Sequence, residues 1–553
     1  MAAVPEANAD VDADVDVDVL IVGGGPVGLT ARVLLERWGV RTSLVEKRTE
    51  LSPFPRSRLV NVRSMEIFRG LGLATRITDA AFPPEYGRIR FRDTLSGRDF
   101  ASAAIVGVRA PVPESPVTGA VTSQDRLEPL LLGAADATVR FGAELVGLGE
   151  DTEGVTAVLV DHRRGEETRV RARYVLAADG ANSTVRRLLD IGTTGPGELA
   201  RVTTVVFDAD LSGLAARQPA GVYFTAHGTF LPLYPEGGWS WLAPTPEDTA
   251  RADWSALVSR ALGADVDADV LRVQHWTMNA AVAERFRHGR ILLAGDAAHA
   301  LPIMGGLGMN AGLADVHNLC WKLAGVRHGW AGPGLLDSYE PERLPVAHRT
   351  LRQAVANTKL GFAVQDRRRE QLRSGAATPD RVELPWSERY FAQLGLVLGV
   401  SYDSAAVLPD GSPPPEPSSS SSPSGMGDGG HEGNGGDGGD GGDEGTDYLP
   451  LARPGRRMPH LWLAPDRSTL DACGEWFTVL APDPARWEPG AEGTWPLRVE
   501  ALPGEYAEAC GLGPRGALLI RPDGHIAARW PAGPAADNAL HQALATVTGP
   551  ARA

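Results

Sequence analysis

A glycine-rich loop near the start of the chain has residue types and a spacing suited to binding phosphate. Gly23, Gly25 and Gly28 follow an apolar run, and Pro26 stands where a first helical turn would begin. Glycines at this spacing let the backbone turn tightly and approach a pyrophosphate, and the helix that follows directs free N–H groups at the phosphates. Glu46 ends the next apolar run, where its carboxylate suits a ribose diol and would repel a 2′-phosphate.

Two later segments suggest contacts to the same kind of ligand. Asp179 and Gly180 follow an apolar run, although an Asp-Gly pair alone is most often a turn. Gly295 and Asp296 follow another, and the Asp296 carboxylate could accept a hydrogen bond from a ribityl or ribose hydroxyl. The glycines within 305–308 let the backbone approach a flat ring, and the next helix N-terminus favours negative charge at the edge of that ring. In this order the segments would close around one extended dinucleotide, which indicates FAD.

The elements that would position these residues follow from the hydrophobic pattern. Segment 17–46 is typical of a βαβ unit, with its helix between the two apolar runs. We expect Asn310 to cap a helix over 310–326, in which Leu313, Val316, Cys320 and Leu323 share one face. A further long helix is predicted at 343–371. Further strands are predicted at 155–160, 170–177, 202–208, 222–225 and 238–243.

Composition limits the classes of protein that remain. The chain has 553 residues, of which 43% are hydrophobic and 22% charged, as in globular proteins with more than one domain. No apolar run predicts a membrane helix, and the acidic N-terminus lacks the features of a signal peptide. The net charge of −15 disfavours nucleic acid or an anionic membrane as a partner. Because Cys320, Cys473 and Cys510 form neither a disulfide framework nor a metal-binding pattern, we expect a cytoplasmic protein without a metal.

Together these motifs resemble those of the class A flavoprotein monooxygenases, the para-hydroxybenzoate hydroxylase-like group. The nearest resemblance is to the aromatic polyketide hydroxylases. Arg521 to Gly524 and Pro454 to His460 are similar to the thioredoxin-like domain that ends this subgroup. Further segments that carry the resemblance are Pro55-Arg56, Asn61 to Phe68, Gln124 to Glu128, Ala283 to Phe286 and Leu335 to Glu340.

The resemblance implies an α/β fold with three parts. These are a Rossmann-like FAD-binding domain of the para-hydroxybenzoate hydroxylase type, an inserted β-sheet substrate domain and a C-terminal thioredoxin-like domain. That last domain lacks a Cys-x-x-Cys pair and so could not exchange dithiols, and Cys473 is expected to be a small buried hydrophobe. The predicted segments are an acidic disordered tail at 1–15, the FAD-binding domain at 16–85, 111–200 and 276–360, the substrate sheet at 86–110 and 201–275, a helical connector at 361–408, a disordered Pro/Ser/Gly/Asp linker at 409–447 and the thioredoxin-like domain at 448–553.

The resemblance also implies an activity. Members of the group hold FAD non-covalently, and NADPH or NADH acts as a transient reductant. The reduced flavin reacts with O₂ to give a C4a-hydroperoxide, which delivers an OH group to a phenol. The chain has a single glycine fingerprint, in agreement with the group's lack of a second Rossmann site for the nicotinamide. The implied function is hydroxylation of a phenolic polycyclic substrate in antibiotic biosynthesis, by a monomer or homodimer.

The resemblance assigns FAD-binding positions residue by residue. Asp179 matches an aspartate shared between FAD and NADPH functions, and Asp296 matches the aspartate that contacts the ribityl chain. His299 is expected to have a local structural role near FAD. The matched cofactor positions are Gly23, Gly25, Pro26, Val27, Gly28, Glu46, Lys47, Arg56, Gln124, Asp179, Gly295, Asp296, Pro302, Gly306, Gly308, Met309 and Asn310.

Candidate substrate residues lie in the predicted sheet and beside the flavin loop. His227 could accept a phenolic proton because an unperturbed histidine titrates near neutral pH, although a plain surface or core histidine fits the same pattern. Aromatic residues on a sheet also fit a hydrophobic core. In the family a second proline usually follows Pro302, and its replacement by Ile303 and Met304 would alter the pocket floor. The candidates are Tyr223, His227, Trp239, Trp241 and Met304.

Three other functions remain open at this stage. The segment from Trp239 to Pro244 resembles the Trp-x-Trp box of flavin-dependent halogenases, but those enzymes need a lysine in their N-terminal part. Here Lys47 is the only lysine before Lys322, and it stands beside the proposed ribose-binding Glu46. Baeyer–Villiger oxygenation of a ketone by the same fold is a second alternative, and flavin binding without catalysis is a third.

Overall fold

The computed structural model of the chain describes most of its length. The predicted acidic tail lies outside the described residues apart from residue 15, and the predicted linker lies outside them apart from 409–412. Within the described ranges, no helix is long and apolar enough to cross a lipid bilayer. The described residues are 15–54, 56–105, 107–108, 110–211, 218–264, 266–375, 384, 393–412, 448–488, 494–534 and 536–549.

A largely parallel sheet forms the first layer. In spatial order its main strands are β16 (Arg287–His288), β17 (Ile291–Leu293), β10 (Glu166–Ala177), β1 (Val15–Val22), β2 (Thr42–Glu46) and β7 (Thr138–Phe141), and β8 (Ala143–Glu150) and β9 (Val155–Asp161) extend from β10. β1 and β2 are parallel because helix α1 (Pro26–Arg37) returns the chain to the same end of the sheet, as the βαβ pattern predicts. The buried halves of β1, β10 and β17 form the centre of the main hydrophobic core.

A second sheet is almost entirely antiparallel. Its strands in spatial order are β18 (His299–Ala300), β15 (Asp269–Ala283), β11 (Thr193–Asp208), β14 (Gly237–Pro244), β13 (Gly228–Tyr234), β12 (Val222–Thr225), β4 (Arg88–Arg92) and β5 (Asp99–Ala104). β11 and β15 extend beyond the predicted sheet bounds at 201 and 275, since their pairing continues to Thr193 and Ala283. Gly195 and Gly197 have positive φ and lie at a register shift in this extension, as expected of glycines at a β-bulge.

Helices cover the first sheet and connect it to the second. Besides α1 they are α2 (Val62–Gly70), α3 (Ala74–Asp79), α4 (Gln124–Leu132), α5 (Thr184–Leu188), α6 (Trp254–Leu262), α7 (Leu307–His328), α8 (Tyr339–Ser374) and α9 (Leu394–Val397). α7 packs on α1, and its predicted apolar face is buried. A short two-stranded ladder, β3 (Leu59–Val60) with β6 (Ala120–Val121), lies at the junction of the two sheets.

The C-terminal region forms a separate core. Its sheet has the spatial order β22 (Leu497–Ala501), β21 (Phe477–Ala481), β23 (Ala517–Ile520), β24 (Ile526–Trp530), and helices α10 (Gly504–Ala509) and α11 (Ala539–Thr548) accompany it; a small ladder joins β19 (Trp462–Ala464) and β20 (Arg467–Ser468). β21 and β22 are parallel and β23–β24 is an antiparallel hairpin, the directions expected of a thioredoxin-like domain. Burial raises the pKa of the Cys473 thiol to about 12, in keeping with a packing role.

Candidate active site

Four strands of the parallel sheet end side by side. Val22 pairs with Val45 in β2 and with Ala177 in β10, and Ala177 pairs with Leu293 in β17. Parallel strands place their carboxyl ends at one edge, where open α/β sheets bind ligands. The segments brought together at this edge are the glycine loop at 23–28, Glu46, Asp179 and the pair Gly295–Asp296.

The glycine loop packs too closely for side chains at two of its three positions. A Cβ at Gly23 would lie 2.3 Å from the Ala178 carbonyl oxygen, and one at Gly28 would lie 2.0 Å from the Gly23 carbonyl oxygen. At Gly25, by contrast, a Cβ would meet no protein atom within 4 Å. Gly25 therefore borders open space at the start of α1, where Pro26 is the first helical residue. This is where a phosphate could approach the helix N-terminus.

Glu46 lies against the glycine loop. Its Oε2 accepts a hydrogen bond from the Gly24 N–H at 2.7 Å, and its Oε1 accepts one from the Arg48 N–H at 2.9 Å. A carboxylate has lone pairs beyond these two, so contact with a ribose hydroxyl stays possible. The neighbouring Lys47 is exposed.

The Asp179 loop contains a buried acceptor without a partner. Asp179 Oδ2 accepts hydrogen bonds from the N–H groups of Thr184 and Val185 at 2.7 and 3.1 Å, which fixes the start of α5. Its Oδ1 is buried and has no hydrogen-bond partner. A buried unsatisfied oxygen beside a cleft is suited to receive a ligand hydroxyl.

Arg186 joins this loop to the next one. Its guanidinium donates to the carbonyl oxygens of Ala181 and Ala297, both at 2.8 Å. Ala181 follows Asp179-Gly180, and Ala297 follows Asp296, so a single side chain sets the spacing of the two acidic loops. Arg186 was not among the predicted site residues.

Asp296 lies on a single 3₁₀ turn, Gly295–Ala297, that follows β17. Its side chain is exposed to the cleft. Desolvation raises the pKa of its carboxyl group, and His299 and Arg56 oppose that shift. Gly295 has a φ of 61°, and a Cβ there would lie 3.0 Å from Val27 Cγ2, so the turn packs directly on α1. The glycine loop and the Asp296 turn thus share one wall.

The start of α7 differs from the prediction. The helix begins at Leu307, and the N-cap is Gly306 with a φ of 63°, so the expectation that Asn310 caps the helix was wrong. The reason is that glycine reaches the left-handed region without strain, which lets the helix begin a turn earlier. No side chain caps the first N–H groups.

Asn310 instead fixes the flavin-loop segment to α2. Its Oδ1 accepts hydrogen bonds from the Asn61 N–H at 2.9 Å and Ser64 Oγ at 2.7 Å. Its Nδ2 donates to the carbonyl oxygens of Leu59 and Gly306 at 2.8 and 2.7 Å. Of the other predicted loop residues, Pro302 is buried, and Gly308 and Met309 are half-buried.

Arg56 lies near Glu128 of α4 and near Asp296, and Gln124 begins α4. Gln124 Nε2 donates to Glu128 Oε1 at 2.6 Å. Desolvation lowers the pKa of the Arg56 guanidinium, whereas the charges of Glu128 and Asp296 raise it. Arg56 therefore lies close enough to the Glu128 and Asp296 carboxylates to interact with both electrostatically.

The aromatic substrate candidates are in a hydrophobic core. Tyr223, Trp239 and Trp241 are buried with Phe207 and Phe230 on the face of the second sheet that α6 covers. The Tyr223 hydroxyl donates to the Gln218 carbonyl at 2.7 Å, and the Trp241 Nε1 donates to the His227 carbonyl at 3.0 Å. These residues therefore pack the sheet, and the same burial includes the segment that resembles a halogenase box.

The opposite face of the sheet meets Met304. Phe91 and Phe224 stack with ring centroids 5.1 Å apart and pack in one cluster with Ile89. Met304 and Val364 of α8 border this cluster. Alternation along β12 places Phe224 and Tyr223 on opposite faces of the sheet.

His227 is exposed in the turn between β12 and β13. Its pKa is lowered by desolvation and by Arg260 and Arg369, and Asp93 opposes the shift. Gly221, immediately before β12, accepts a hydrogen bond from Arg58 Nη1 at 3.1 Å through its carbonyl oxygen.

Two further residues could not be found from motifs. Arg58 has buried Nε and Nη2 groups without a hydrogen-bond partner, and desolvation lowers its pKa to about 10. Asp315 is fully buried on α7 and accepts hydrogen bonds from the Gly295 N–H at 3.0 Å and His299 Nε2 at 2.7 Å. A charged residue beside the apolar face of a predicted helix was the available signal for Asp315.

Comparison with known proteins gives the same assignment over nearly the whole chain. Residues 16–354 match the family described as FAD binding domain, and residues 452–551 match the family described as aromatic-ring hydroxylase, C-terminal. A 4-methyl-5-nitrocatechol 5-monooxygenase of Burkholderia sp is 34% identical, over 92% of this chain and 93% of that protein. A putative polyketide hydroxylase of Streptomyces coelicolor is 36% identical, over 96% of each chain.

Solved structures agree. The flavin-dependent monooxygenase PieE, in complex with FAD and substrate, has a TM-score of 0.85 and 32% identity, covering 97% of this chain and 100% of its own. Aklavinone-11 hydroxylase, in a ternary complex with FAD and aklavinone, has a TM-score of 0.78 and 31% identity, covering 97% and 99%.

These matches confirm the predicted α/β fold with an FAD-binding domain and the predicted cofactor, and the thioredoxin-like character of the C-terminal domain stays a prediction. FAD is the cofactor, NAD(P)H and O₂ are the co-substrates typical of the class, and the substrate is a small aromatic molecule. The chain belongs to the FAD-dependent aromatic-ring hydroxylases, which are flavin monooxygenases.

Proposed function

We propose that this enzyme hydroxylates a phenolic ring of a polycyclic, aromatic polyketide-type substrate, with NADPH as its electron donor. The observation that carries the proposal is the buried aromatic cluster of Ile89, Phe91 and Phe224, against which the half-buried Met304 packs. Broad aromatic surfaces suit a large flat ring system. Relatives named as polyketide and aklavinone hydroxylases support the same substrate class.

The cofactor contacts are also part of the proposal. We assign the pyrophosphate to the N–H groups at Gly25 and the start of α1, the adenosine ribose to Glu46, and a ribityl hydroxyl to Asp296. The uncapped N-terminus of α7 would stabilise negative charge at the pyrimidine edge of the flavin. The chemistry that FAD supplies when bound is the activation of O₂ with electrons from NAD(P)H.

The remaining work of the protein is to position the ring and to exclude water. Met304 and Phe224 supply apolar surface on the substrate side, which lowers the access of water to the reacting atoms. We assign no residue as the base that takes the phenolic proton, because His227 is exposed in the turn between β12 and β13. We further propose a monomer or a homodimer.

A single-ring phenol is the second candidate substrate. The 34% identical Burkholderia relative is named for a substituted catechol, and a relative from Delftia acidovorans that is 30% identical is named for 2,4-dichlorophenol. Such a ring would cover only part of the aromatic cluster. The substrate panel must therefore contain both single-ring phenols and polycyclic phenols.

The test is NAD(P)H oxidation by the FAD-loaded protein against that panel, followed by mass spectrometry and NMR of the products. We expect polycyclic phenols to accelerate NADPH oxidation and to gain one oxygen as a ring hydroxyl. A lactone product would instead indicate Baeyer–Villiger oxygenation, and acceleration by single-ring phenols alone would refute the polycyclic proposal.

Two neighbouring aromatic residues test which face of the sheet binds the substrate. Phe224→Leu should raise the KM for the accepted phenol about five-fold, because roughly 1 kcal/mol of aromatic contact is lost. The matched variant Tyr223→Phe removes only the hydrogen bond to Gln218 behind the sheet. It should leave KM unchanged and cost about 1 kcal/mol of stability. The reverse pattern would place the substrate on the α6 side.

A further inference from the structure

One buried carboxylate holds both ends of the turn that carries Asp296. Asp315 Oδ2 accepts hydrogen bonds from the Gly295 N–H at 3.0 Å and from His299 Nε2 at 2.7 Å. Its Oδ1 accepts from Arg343 Nε at 2.7 Å. Gly295 and His299 flank Asp296 on either side, so the position of Asp315 determines where the Asp296 side chain enters the cleft.

The turn has little freedom to adjust by itself. A Cβ at Gly312 would lie 2.8 Å from the Gly295 Cα, so the turn lies directly on the backbone of α7. On its other side Val27 of α1 approaches Gly295. A change in the bonds of Asp315 is therefore expected to move the turn together with Asp296.

Arg343 connects Asp315 to α8, and its neighbour connects α8 to the C-terminal domain. Glu342 accepts hydrogen bonds from Arg521 Nη1 and Nη2 at 2.6 and 2.9 Å and from Lys322 Nζ at 2.7 Å. Asp523 pairs with Arg521 in turn. We call Lys322, Glu342, Arg521 and Asp523 the inter-domain ion cluster, and all four side chains are almost completely buried.

Because the inter-domain ion cluster is buried, its stability depends on every charge keeping its partner. Each charge has lost its water shell, so removal of one partner leaves an uncompensated charge in a region of low dielectric constant. Glu342 and Arg343 are adjacent in one helix, and a shift of the Glu342 backbone moves Arg343 with it. The Arg521–Glu342 hydrogen bonds and the Arg343–Asp315 hydrogen bond are thus linked across the domain boundary through the backbone of α8.

We propose that the C-terminal domain is part of the scaffold of the flavin site, with Arg521, Arg343 and Asp315 as positioning residues for Asp296. The domain lacks a Cys-x-x-Cys pair, so this role does not depend on dithiol chemistry. The inference rests on the proposed contact between Asp296 and FAD. It gives the C-terminal domain a function in cofactor binding.

The experiment uses the full chain and compares Asp315→Asn and Arg521→Gln with wild type. FAD binding to the apoprotein is titrated by fluorescence well below the unfolding temperature, and the visible spectrum of the bound flavin is recorded. Asp315→Asn should raise the Kd for FAD at least about ten-fold and shift the flavin bands, the loss expected for a charge-assisted hydrogen bond. Arg521→Gln should also raise the Kd for FAD and shift the flavin bands in the same direction, but by less.

A matched control separates positioning from domain attachment. Arg69 also crosses the domain boundary, donating to Asp471 at 2.7 Å, but it lies on the half-exposed rim. Arg69→Gln should leave the Kd for FAD within about two-fold of the wild-type value, because a partly exposed ion pair contributes little free energy. If Arg521→Gln lowers the unfolding temperature but leaves the Kd and the flavin spectrum unchanged, the domain only stabilises the fold and the proposal is overturned.

Two further variants keep the test decisive. If Arg521→Gln does not fold, Arg521→Lys retains the charge without the two-pronged contact, and an unchanged Kd in that variant also overturns the proposal. Asp296→Ala separates the two hypotheses. If it leaves FAD binding intact, the proposed cofactor contact fails. If it weakens binding while Asp315→Asn does not, only the positioning role fails.

Discussion

At the scale of residues, the candidate site contains carboxylates that keep an oxygen without a hydrogen bond to the protein. Asp179 uses one carboxylate oxygen to fix the start of α5 and keeps the other buried without a partner. Asp296 projects from a turn whose ends are held by other groups, so its own carboxylate stays available. If these carboxylates bind FAD as proposed, substitution of Asp296 should affect cofactor binding more than stability.

Asp296→Ala tests this at a single side chain. The variant should raise the Kd for FAD roughly 10- to 100-fold, because a hydrogen bond to a charged acceptor is lost. Its thermal unfolding without FAD should stay close to wild type, since the Asp296 side chain is exposed. Fluorescence titration measures the first quantity and calorimetry the second. Asp267→Ala, an exposed aspartate between α6 and β15, is the control, and equal effects of both changes would contradict the assignment.

At the scale of elements, the parallel strands bring distant loops together, and close backbone packing then fixes their spacing. The glycine loop shows two kinds of glycine. Gly28 is required because its missing side chain lets α1 pack on the loop, whereas Gly25 faces open space. The sequence fingerprint treats these glycines alike, but the structure gives them separate roles.

The two glycines should therefore respond differently to alanine. Gly28→Ala should destabilise the protein even without FAD, because its Cβ would lie 2.0 Å from a backbone oxygen. Gly25→Ala should leave the apoprotein as stable as wild type, since its φ of −77° suits alanine and no protein atom is near. It should still weaken FAD binding at least about ten-fold through contact with the phosphate. Tight FAD binding by Gly25→Ala would place the pyrophosphate elsewhere.

At the scale of the whole molecule, buried charge joins the two described cores. The inter-domain ion cluster links α7 and α8 to the C-terminal domain, and Arg457 forms a second buried pair with Glu66 of α2. Buried pairs of this kind give specificity of docking more than net stability. The described part of the predicted linker contacts the C-terminal domain. Arg529 Nε donates to Asp410 at 2.6 Å, and Arg529 Nη2 donates to Ser412 at 2.6 Å.

Replacement of 413–447 by a shorter glycine-serine linker tests how the domains are held. The predicted linker began at 409, but the contacts of Asp410 and Ser412 indicate that 409–412 should be kept. Because buried ion pairs hold the domains, we expect FAD content and turnover to change less than about two-fold. A parallel deletion from 409 removes the Arg529 contacts and should lower the unfolding temperature. A large loss of FAD after the shorter deletion would show that 413–447 contributes to the fold.

The sequence by itself determined the fold class, the cofactor and the positions of the loops around it. Those features depend on local rules: glycines where backbone must approach a phosphate, apolar runs for buried strands, and acids directly after strands. It also predicted strands β1, β2, β9 and β10 and helices α1, α7 and α8 to within a few residues. The predicted domain bounds and cofactor contacts stay predictions.

The tertiary structure decided the rest, because it depends on which surfaces meet. Helix α7 begins at Leu307 and not at the predicted residue 310, because Gly306 adopts a left-handed conformation that the packing of the loop requires. Tyr223, Trp239 and Trp241 became core because α6 covers their face of the sheet, and Phe224 took the other side. Asp315 and Arg521 are far apart in the chain. Only the packing of α7, α8 and the C-terminal domain brings them to the neighbouring residues Arg343 and Glu342 of α8, to which they are hydrogen-bonded.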